Sequence, residues 1–485
     1  MKGAILVTGT ASDAGKSVVV GAMCRWLKRQ GVSVAPFKAQ NMSLNSTVTP
    51  GGAEIGRAQA MQAAACGIEP EAAMNPVLIK PSGNRKSQVL VMGKPYANAT
   101  ARSYQELKHE LKQPVVDALT DLRSRFDVVV CEGAGSPAEI NLRQGDLANM
   151  GLARAANLPV LVIGDIDRGG VFPSLYGTLA LLEPEDQALI AGFLINKFRG
   201  DPSILDPGLE MLKGLTGRDT FGVLPWLDGP FIDAEDSLAL RETPRDGGTL
   251  DVAVIRLRWL SNFTDVDALA AEPGVSVRYT RSPADVERAD LVVLPGTKAT
   301  VEDLKRLRED GLDQALKRRK GPILGICGGY QMLGHAIEDG VESEDSATGL
   351  GLLDVNTTFH PEKLLRQVTG TVFGAPAAGY EIRHGRVDRD EPLIQQGDVL
   401  GTAWHGLLEG DAVRRAILRW VAERTHRDWT PGTRAFADVR EAHLDRLADW
   451  FGAHVDAPAL INLIETGAPE GLPTIPPGGT ACSVF

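Results

Sequence analysis

Two short strings in the 485-residue chain carry residue types that do chemistry. The first is Gly9-Thr10-Ala11-Ser12-Asp13-Ala14-Gly15-Lys16-Ser17, set between an apolar run and a helical stretch. Small residues there let backbone N–H groups curl around a phosphate at the positive end of a helix. Lys16 would reach the terminal phosphates of ATP, and the Ser17 hydroxyl would ligate Mg²⁺. Five residues separate Gly9 from Gly15, one more than in the common G-x-x-x-x-G-K-[ST] loop. The bland reading is a glycine turn that only caps a helix. The second string, Gly325-Ile326-Cys327-Gly328-Gly329, follows the apolar Ile323-Leu324 and reads as strand, sharp turn, helix. That is a nucleophile elbow with sulfur in place of oxygen. The helix start behind Cys327 supplies N–H groups for an oxyanion, with Gly328 as one donor and Gly296, in Leu294-Pro295-Gly296-Thr297, as a second. A thiol nucleophile needs a base, and His405, at the end of a short apolar run, has the best setting among eight histidines. Taken singly, His405 reads as structural and Cys327 as a core thiol; the elbow is what raises both.

Two acidic strings close apolar runs in the first half: Glu132-Gly133-Ala134-Gly135 and Asp165-Ile166-Asp167-Arg168-Gly169-Gly170. In open α/β sheets the ligand crevice lies beyond the carboxyl ends of the strands. Carboxylates there hold Mg²⁺ directly or through water, or else cap the next helix. Glu132 is the metal candidate, with Ser17. Lys38, Asp165, Asp167 and Arg168 are candidates for a place near the phosphates or the substrate. Lys38, Arg168, Lys80, Arg85 and Lys86 could each supply positive charge for an anionic substrate, though each alone reads as a solvated surface charge.

The elements that must position these residues are legible as short aliphatic runs: 3–7, 32–35, 127–130, 159–163 and 192–195, then 252–255, 275–277, 291–294 and 323–326. Continuous apolar strands suit a parallel sheet covered on both faces. Between the first two runs, Val19, Val20, Met23, Trp26 and Leu27 share a helical face over 16–30, and Gly31 ends it. The pattern is doubly wound α/β, twice over. Domains are expected at 1–240 and 250–462, joined by a polar Pro/Gly linker at 241–249, with a loose tail at 463–485.

Composition narrows the class. Hydrophobic residues make up 43%, charged 23% and aromatic 5%, a core-forming composition. Net charge is −11, which argues against a nucleic-acid binder held by a broad basic surface. No apolar run approaches the length of a membrane span. The five cysteines are scattered and never in a CxxC pair, so they read as reduced thiols of a cytoplasmic protein.

Several longer strings resemble the cobyric acid synthase family: VAPFKAQNM at 34–42, EIGRAQA at 54–60, EGAGSPAEINL at 132–142, DIDRGGVF at 165–172, LINKFRGD at 194–201, LPGTK at 294–298 and GICGG at 325–329. The likeness runs from about residue 3 to about 410. It implies a P-loop NTPase-like domain similar to dethiobiotin synthetase, in which the long spacing before Gly15 is shared. A flavodoxin-like class I glutamine amidotransferase domain is implied to follow. It further implies ATP- and glutamine-dependent amidation of carboxylates b, d, e and g of a corrinoid, adenosylcobyrinic acid a,c-diamide, in cobalamin biosynthesis. Amidotransferases of this class usually place a Glu two residues after the histidine, and position 407 is Leu. The base therefore lacks a third partner or takes one from elsewhere. Two rivals stand beside this reading: the synthase that makes the a,c-diamide, and a ParA/MinD-like ATPase switch. Such switches carry an extra Lys early in the loop, where this chain has Thr10 and Ala11, and have no use for Cys327 or His405.

Overall fold

The computed structural model describes residues 1–82, 86–227, 233, 249–343 and 345–476. Its first half is built on six parallel strands, in the order Asp219–Pro225, Ile190–Phe198, Val160–Asp165, Gly3–Gly9, Val128–Glu132, Val34–Phe37. The central strands are buried on both faces, as their unbroken aliphatic sequence requires. The chain doubles back beside Gly3–Gly9, so the crevice of this sheet opens at Gly9 and Glu132, whose strands are neighbours with Val7 opposite Glu132.

The second half centres on five parallel strands, in the order Val275–Thr280, Leu250–Ile255, Leu291–Leu294, Ile323–Ile326, Val399–Thr402, with Ile394–Gln396 antiparallel at the edge. Counted along the chain, this is the 2-1-3-4-5 order of flavodoxin-like sheets. Gly296, Cys327 and His405 all lie just past the carboxyl ends of its strands.

Two features lay outside the sequence reading. One is a long antiparallel hairpin, Asn356–Val372 against Ala375–Val387, which reaches toward the first half. Its middle buries Tyr380 and Ile382 against Val48, with Leu365 packed alongside. The other corrects the expected domain ends. Phe436 packs in the second core, but from Leu444 to Ile475 the chain is built onto the first half and is no loose tail. The helix Phe436–Gly452 buries Leu444, Leu447 and Phe451 in the core of the first sheet, beside the helix Lys16–Arg29. The next helix, Ala457–Thr466, adds Leu460, Leu463 and Ile464 to the same core. Asp456 N–H donates to the Phe221 carbonyl at 2.8 Å, and Ile475 exchanges two hydrogen bonds with Gln187. The physical cause is an apolar stripe that packs with Val19, Val20, Met23 and Leu27, together with charge pairing: Arg25 is held by Asp445 at 2.8 Å and Glu441 at 2.7 Å. The expected linker, apart from Thr249, lies outside the described residues, as do residues 477–485 of the expected tail.

Because Phe451 is fully buried and packs edge-on against Trp26 at 5.8 Å, its truncation should unfold more than a surface helix. Phe451→Ala is expected to cost about 3–5 kcal/mol, read as a lowered urea midpoint of the nucleotide-binding half.

Candidate functional site

Cys327 occupies the turn between the strand Ile323–Ile326 and the helix Gly328–Leu333, at φ 50° and ψ −108°. A non-glycine residue rarely adopts a positive φ, and such strain collects at functional positions. The turn is possible because Gly329 lets the chain pass the neighbouring strand: a Cβ there would sit 1.9 Å from the Leu294 carbonyl oxygen. The thiol is buried, with the Ile382 carbonyl of the hairpin 4.0 Å from Sγ. It shares its pocket with His405, which the sheet delivers past the end of Val399–Thr402. Gly296 lies against the same imidazole, since a Cβ built on it would be 3.0 Å from His405 Cε1. Gly328 lies against Thr297. The four residues named for thiol chemistry therefore meet.

The third partner left open by Leu407 is Asp265. Its carboxylate accepts from His405 Nδ1 at 2.7 Å and from the Gly406 N–H at 2.8 Å. Burial alone would push the imidazole down. The Asp265 carboxylate and the thiol opposite override it and raise His405 to about 10. A proton is thus held on the imidazole at neutral pH.

The phosphate loop is equally specific. Gly15, at φ 95°, turns the chain into the helix Lys16–Arg29, and a Cβ there would strike Asn196 Nδ2 at 2.2 Å. Asn196 in turn donates to the Ala14 carbonyl at 2.9 Å, which fixes the loop. Lys16 Nζ points back across the loop, donating to the Ala11 carbonyl at 2.8 Å. Thr10 N–H donates to the Ile163 carbonyl, tying the loop's start to the sheet. Ser17 Oγ donates to Glu132 Oε1 at 2.7 Å, and Lys38 Nζ reaches the same oxygen at 2.7 Å. Gln62, from the helix Arg57–Cys66, donates to Glu132 Oε2 at 2.6 Å. A hydroxyl beside a buried carboxylate is a hard-oxygen pair of the kind Mg²⁺ takes when most of its other ligands are water and phosphate oxygens. Among the described residues no cluster of three His, Cys, Asp or Glu side chains offers an all-protein metal cage.

At the rim, Asp13 is joined to Arg168 at 3.0 Å, and Asp165 to Lys197 at 2.7 Å. Asp167 pairs with the exposed Arg199 and lies farther out. Lys80 corrects an expectation: it is buried against Glu54 at 2.6 Å, at the contact between the two halves. Lys363 of the hairpin holds the other Glu54 oxygen at 2.5 Å. Burial would raise the Glu54 carboxyl, but the two ammonium groups hold it well below the usual carboxylate range. Lys86 begins the strand Lys86–Val91 of a small mixed sheet, and Arg85 lies outside the described residues.

Comparison with known proteins assigns a family to each half. Residues 5–235 match the CobQ/CobB/MinD/ParA nucleotide binding domain, and residues 251–413 match the CobB/CobQ-like glutamine amidotransferase domain. The cobyric acid synthase of Streptomyces coelicolor is 57% identical over 99% of this chain and 100% of its own. That of Frankia casuarinae is 55% identical over the same shares. That of Mycolicibacterium paratuberculosis is 53% identical over 97% of this chain and 98% of its own. The chain belongs to the cobyric acid synthase family. No helix among its described residues is long and apolar enough to cross a membrane.

Sequence reasoning missed Asp265, Gln62, Asn196 and Lys197. The last two carried a usable signal, a polar pair at the carboxyl end of an apolar strand on the crevice side. Asp265 carried none beyond following the first strand of the second sheet, since 140 residues separate it from His405.

Proposed function

We propose that the chain amidates carboxylates b, d, e and g of adenosylcobyrinic acid a,c-diamide, using ATP, Mg²⁺ and glutamine. The observation that supports this best is the Cys327–His405–Asp265 arrangement in one chain with the Lys16 loop. An ATPase switch has no use for a thiol site. The curated relatives that span the whole chain carry the name cobyric acid synthase, which favours the four-fold amidation over the a,c-diamide synthase.

In the second half the Cys327 thiolate attacks the amide carbon of glutamine, and backbone N–H groups of Gly296 and Gly328 receive the oxyanion. As the C–N bond breaks, His405 gives its proton to the departing nitrogen. Water then cleaves the thioester, releasing glutamate and restoring the thiolate. In the first half a substrate carboxylate takes the γ-phosphoryl group of ATP, and ammonia displaces phosphate from the acyl phosphate. Lys16 and the loop N–H groups hold the phosphates in line. Ser17 and Glu132 would hold Mg²⁺, which offsets charge on the phosphate oxygens. Ammonia has to cross unprotonated, and the intervening groups are polar and buried. Asn262 lines the thiol pocket and bonds Ser46, Ser46 bonds Glu54, and Gln59 Nε2 and Gln62 Oε1 find no partner among the described residues.

The test is mass analysis of the a,c-diamide after incubation with ATP, Mg²⁺ and glutamine. A ladder of successive amide products is expected. No product with either glutamine or ammonium salt would overturn the reading.

Asp265→Asn bears on the proton held by His405. With the carboxylate gone, burial pulls the imidazole down and its orientation loosens. Glutamate release should fall about 10²–10³-fold. In the native protein the protonated imidazole, needed for the leaving nitrogen, persists until pH rises through about 10. In the variant that alkaline loss should set in at lower pH. An unshifted limb in a pH profile of glutamate release would show that Asp265 does not hold the proton.

A further inference from the structure

The strand Ala375–Val387 passes both reacting groups of the thiol site: Ile382 presents its carbonyl to Cys327, and Tyr380 lies against His405. The Tyr380 ring stacks on the imidazole at 5.6 Å and 28°. The two residues also exchange backbone hydrogen bonds, each at 2.9 Å. Neither contact touches the Asp265 side of the ring, so the imidazole is gripped from its face as well as its edge. The Tyr380 hydroxyl sits at the boundary between the two halves. It donates to the Ser46 carbonyl at 3.3 Å and accepts from Asn262 Nδ2, also at 3.3 Å. Asn262 closes the triangle by donating to the same Ser46 carbonyl at 2.9 Å and accepting from the Ser46 N–H at 3.3 Å.

Ser46 is not an isolated landing point. It pairs with Gly56 in a two-stranded ribbon, and Gly56 caps the helix Arg57–Cys66 whose Gln62 holds Glu132 and the Ser17 carbonyl. One short path of backbone and hydrogen bonds therefore runs from the phosphate loop to the hydroxyl of the ring that seats the base. A buried hydroxyl is costly to leave unpaired, and this one keeps its donor bond to Ser46 only while the halves are docked, whereas the bond it accepts from Asn262 stays within the second half.

We propose that Tyr380 is a positioning residue for His405: its ring sets the plane of the imidazole toward Cys327, and its hydroxyl makes that setting depend on contact with Ser46 in the nucleotide-binding half. The proposal rests on the reading of Cys327 and His405 as the glutamine-hydrolysing pair. It adds that glutamine hydrolysis is tied to the state of the other half through one side chain.

The test compares Tyr380→Leu with Tyr380→Phe in the full-length protein. The leucine removes the stack, and small misplacements of a reacting group cost about tenfold to a hundredfold. It should lower kcat for glutamate release by about that factor, with KM for glutamine nearly constant and ammonium-dependent amidation unchanged. The phenylalanine restores the ring and should recover kcat for hydrolysis. Lacking the hydroxyl, it should raise the ratio of glutamate released to amide formed at least about threefold over the native protein. A leucine variant with native kcat, or a phenylalanine variant with the native ratio, overturns the proposal. Equal losses of glutamine- and ammonium-dependent amidation in both variants overturn it too, by showing a general structural role. A Cys327→Ala protein that still hydrolyses glutamine would instead remove the underlying reading, whatever Tyr380 does.

Discussion

Cys327→Ala should abolish glutamine-dependent amidation, by about 10⁴-fold or more, while amidation from added ammonium salt stays within about twofold of native. By the usual conversion that loss is about 5 kcal/mol or more of transition-state stabilisation. It is large because no other group in the pocket replaces the sulfur: the thiol is what forms the bond to the amide carbon, and His405 and the glycine N–H groups only assist it. The fold should tolerate the change. The residue already sits at φ 50°, so alanine adds no strain of its own, and the sulfur's contact to the Ile382 carbonyl, at 4.0 Å, is weak. Side-by-side assays with glutamine and with ammonium chloride decide the matter. Parallel loss of both activities would mean that the substitution disturbs the whole protein. Retained glutamine use would remove Cys327 from the chemistry.

The elements that hold Cys327 were readable because the constraint is local. A strand buried on both faces must be aliphatic throughout, and an elbow must carry small residues where the backbone passes close to its neighbour. Leu291–Leu294 and Ile323–Ile326 stand where their sequence placed them for that reason. The phosphate loop was readable for the same reason, since Gly15 is required by its own φ and by Asn196 pressing on it. Asp265 was not readable. Its bond to His405 depends on how the segments that follow the first and the last strand of one sheet happen to face each other, and no spacing records that. The hairpin that carries Tyr380 was hidden by its turn. Phe373 and Gly374 both adopt positive φ, at 49° and 74°, as a tight hairpin turn requires, but Phe in the first position is not the Asn or Asp that signals one. The helices from Phe436 to Thr466 misled for a related reason. Amphipathic sequence says that a stripe will be buried, and leaves open against which sheet.

The complementary experiment separates the two engines from the other side. Lys16→Ala should lower amidation from glutamine and from ammonium alike, by about 10²–10³-fold, the range for removing one preorganised charge from a phosphoryl-transfer or oxyanion site. Glutamate release measured without ATP should stay within about threefold of native, because Lys16 contacts neither Cys327 nor His405, and its side chain is folded onto the Ala11 carbonyl of its own loop. Lys16→Arg is the sharper control on geometry. The charge is kept, but a planar fork must fit a loop already closed by Gly15, Asn196 and the backbone of residues 11–14, so rescue should be slight. Full recovery by arginine would mean that a diffuse positive charge suffices and that the loop does not grip the phosphates. A Lys16→Ala protein that still amidates at the native rate with ammonium would be more damaging. It would place carboxylate activation away from this loop and leave the Ser17–Glu132–Lys38 cluster as packing alone. The two variants together thus give a crossed pattern: one loses only the nitrogen donor glutamine, and the other loses every donor while still breaking glutamine down. A protein with a single reaction centre cannot produce that pattern.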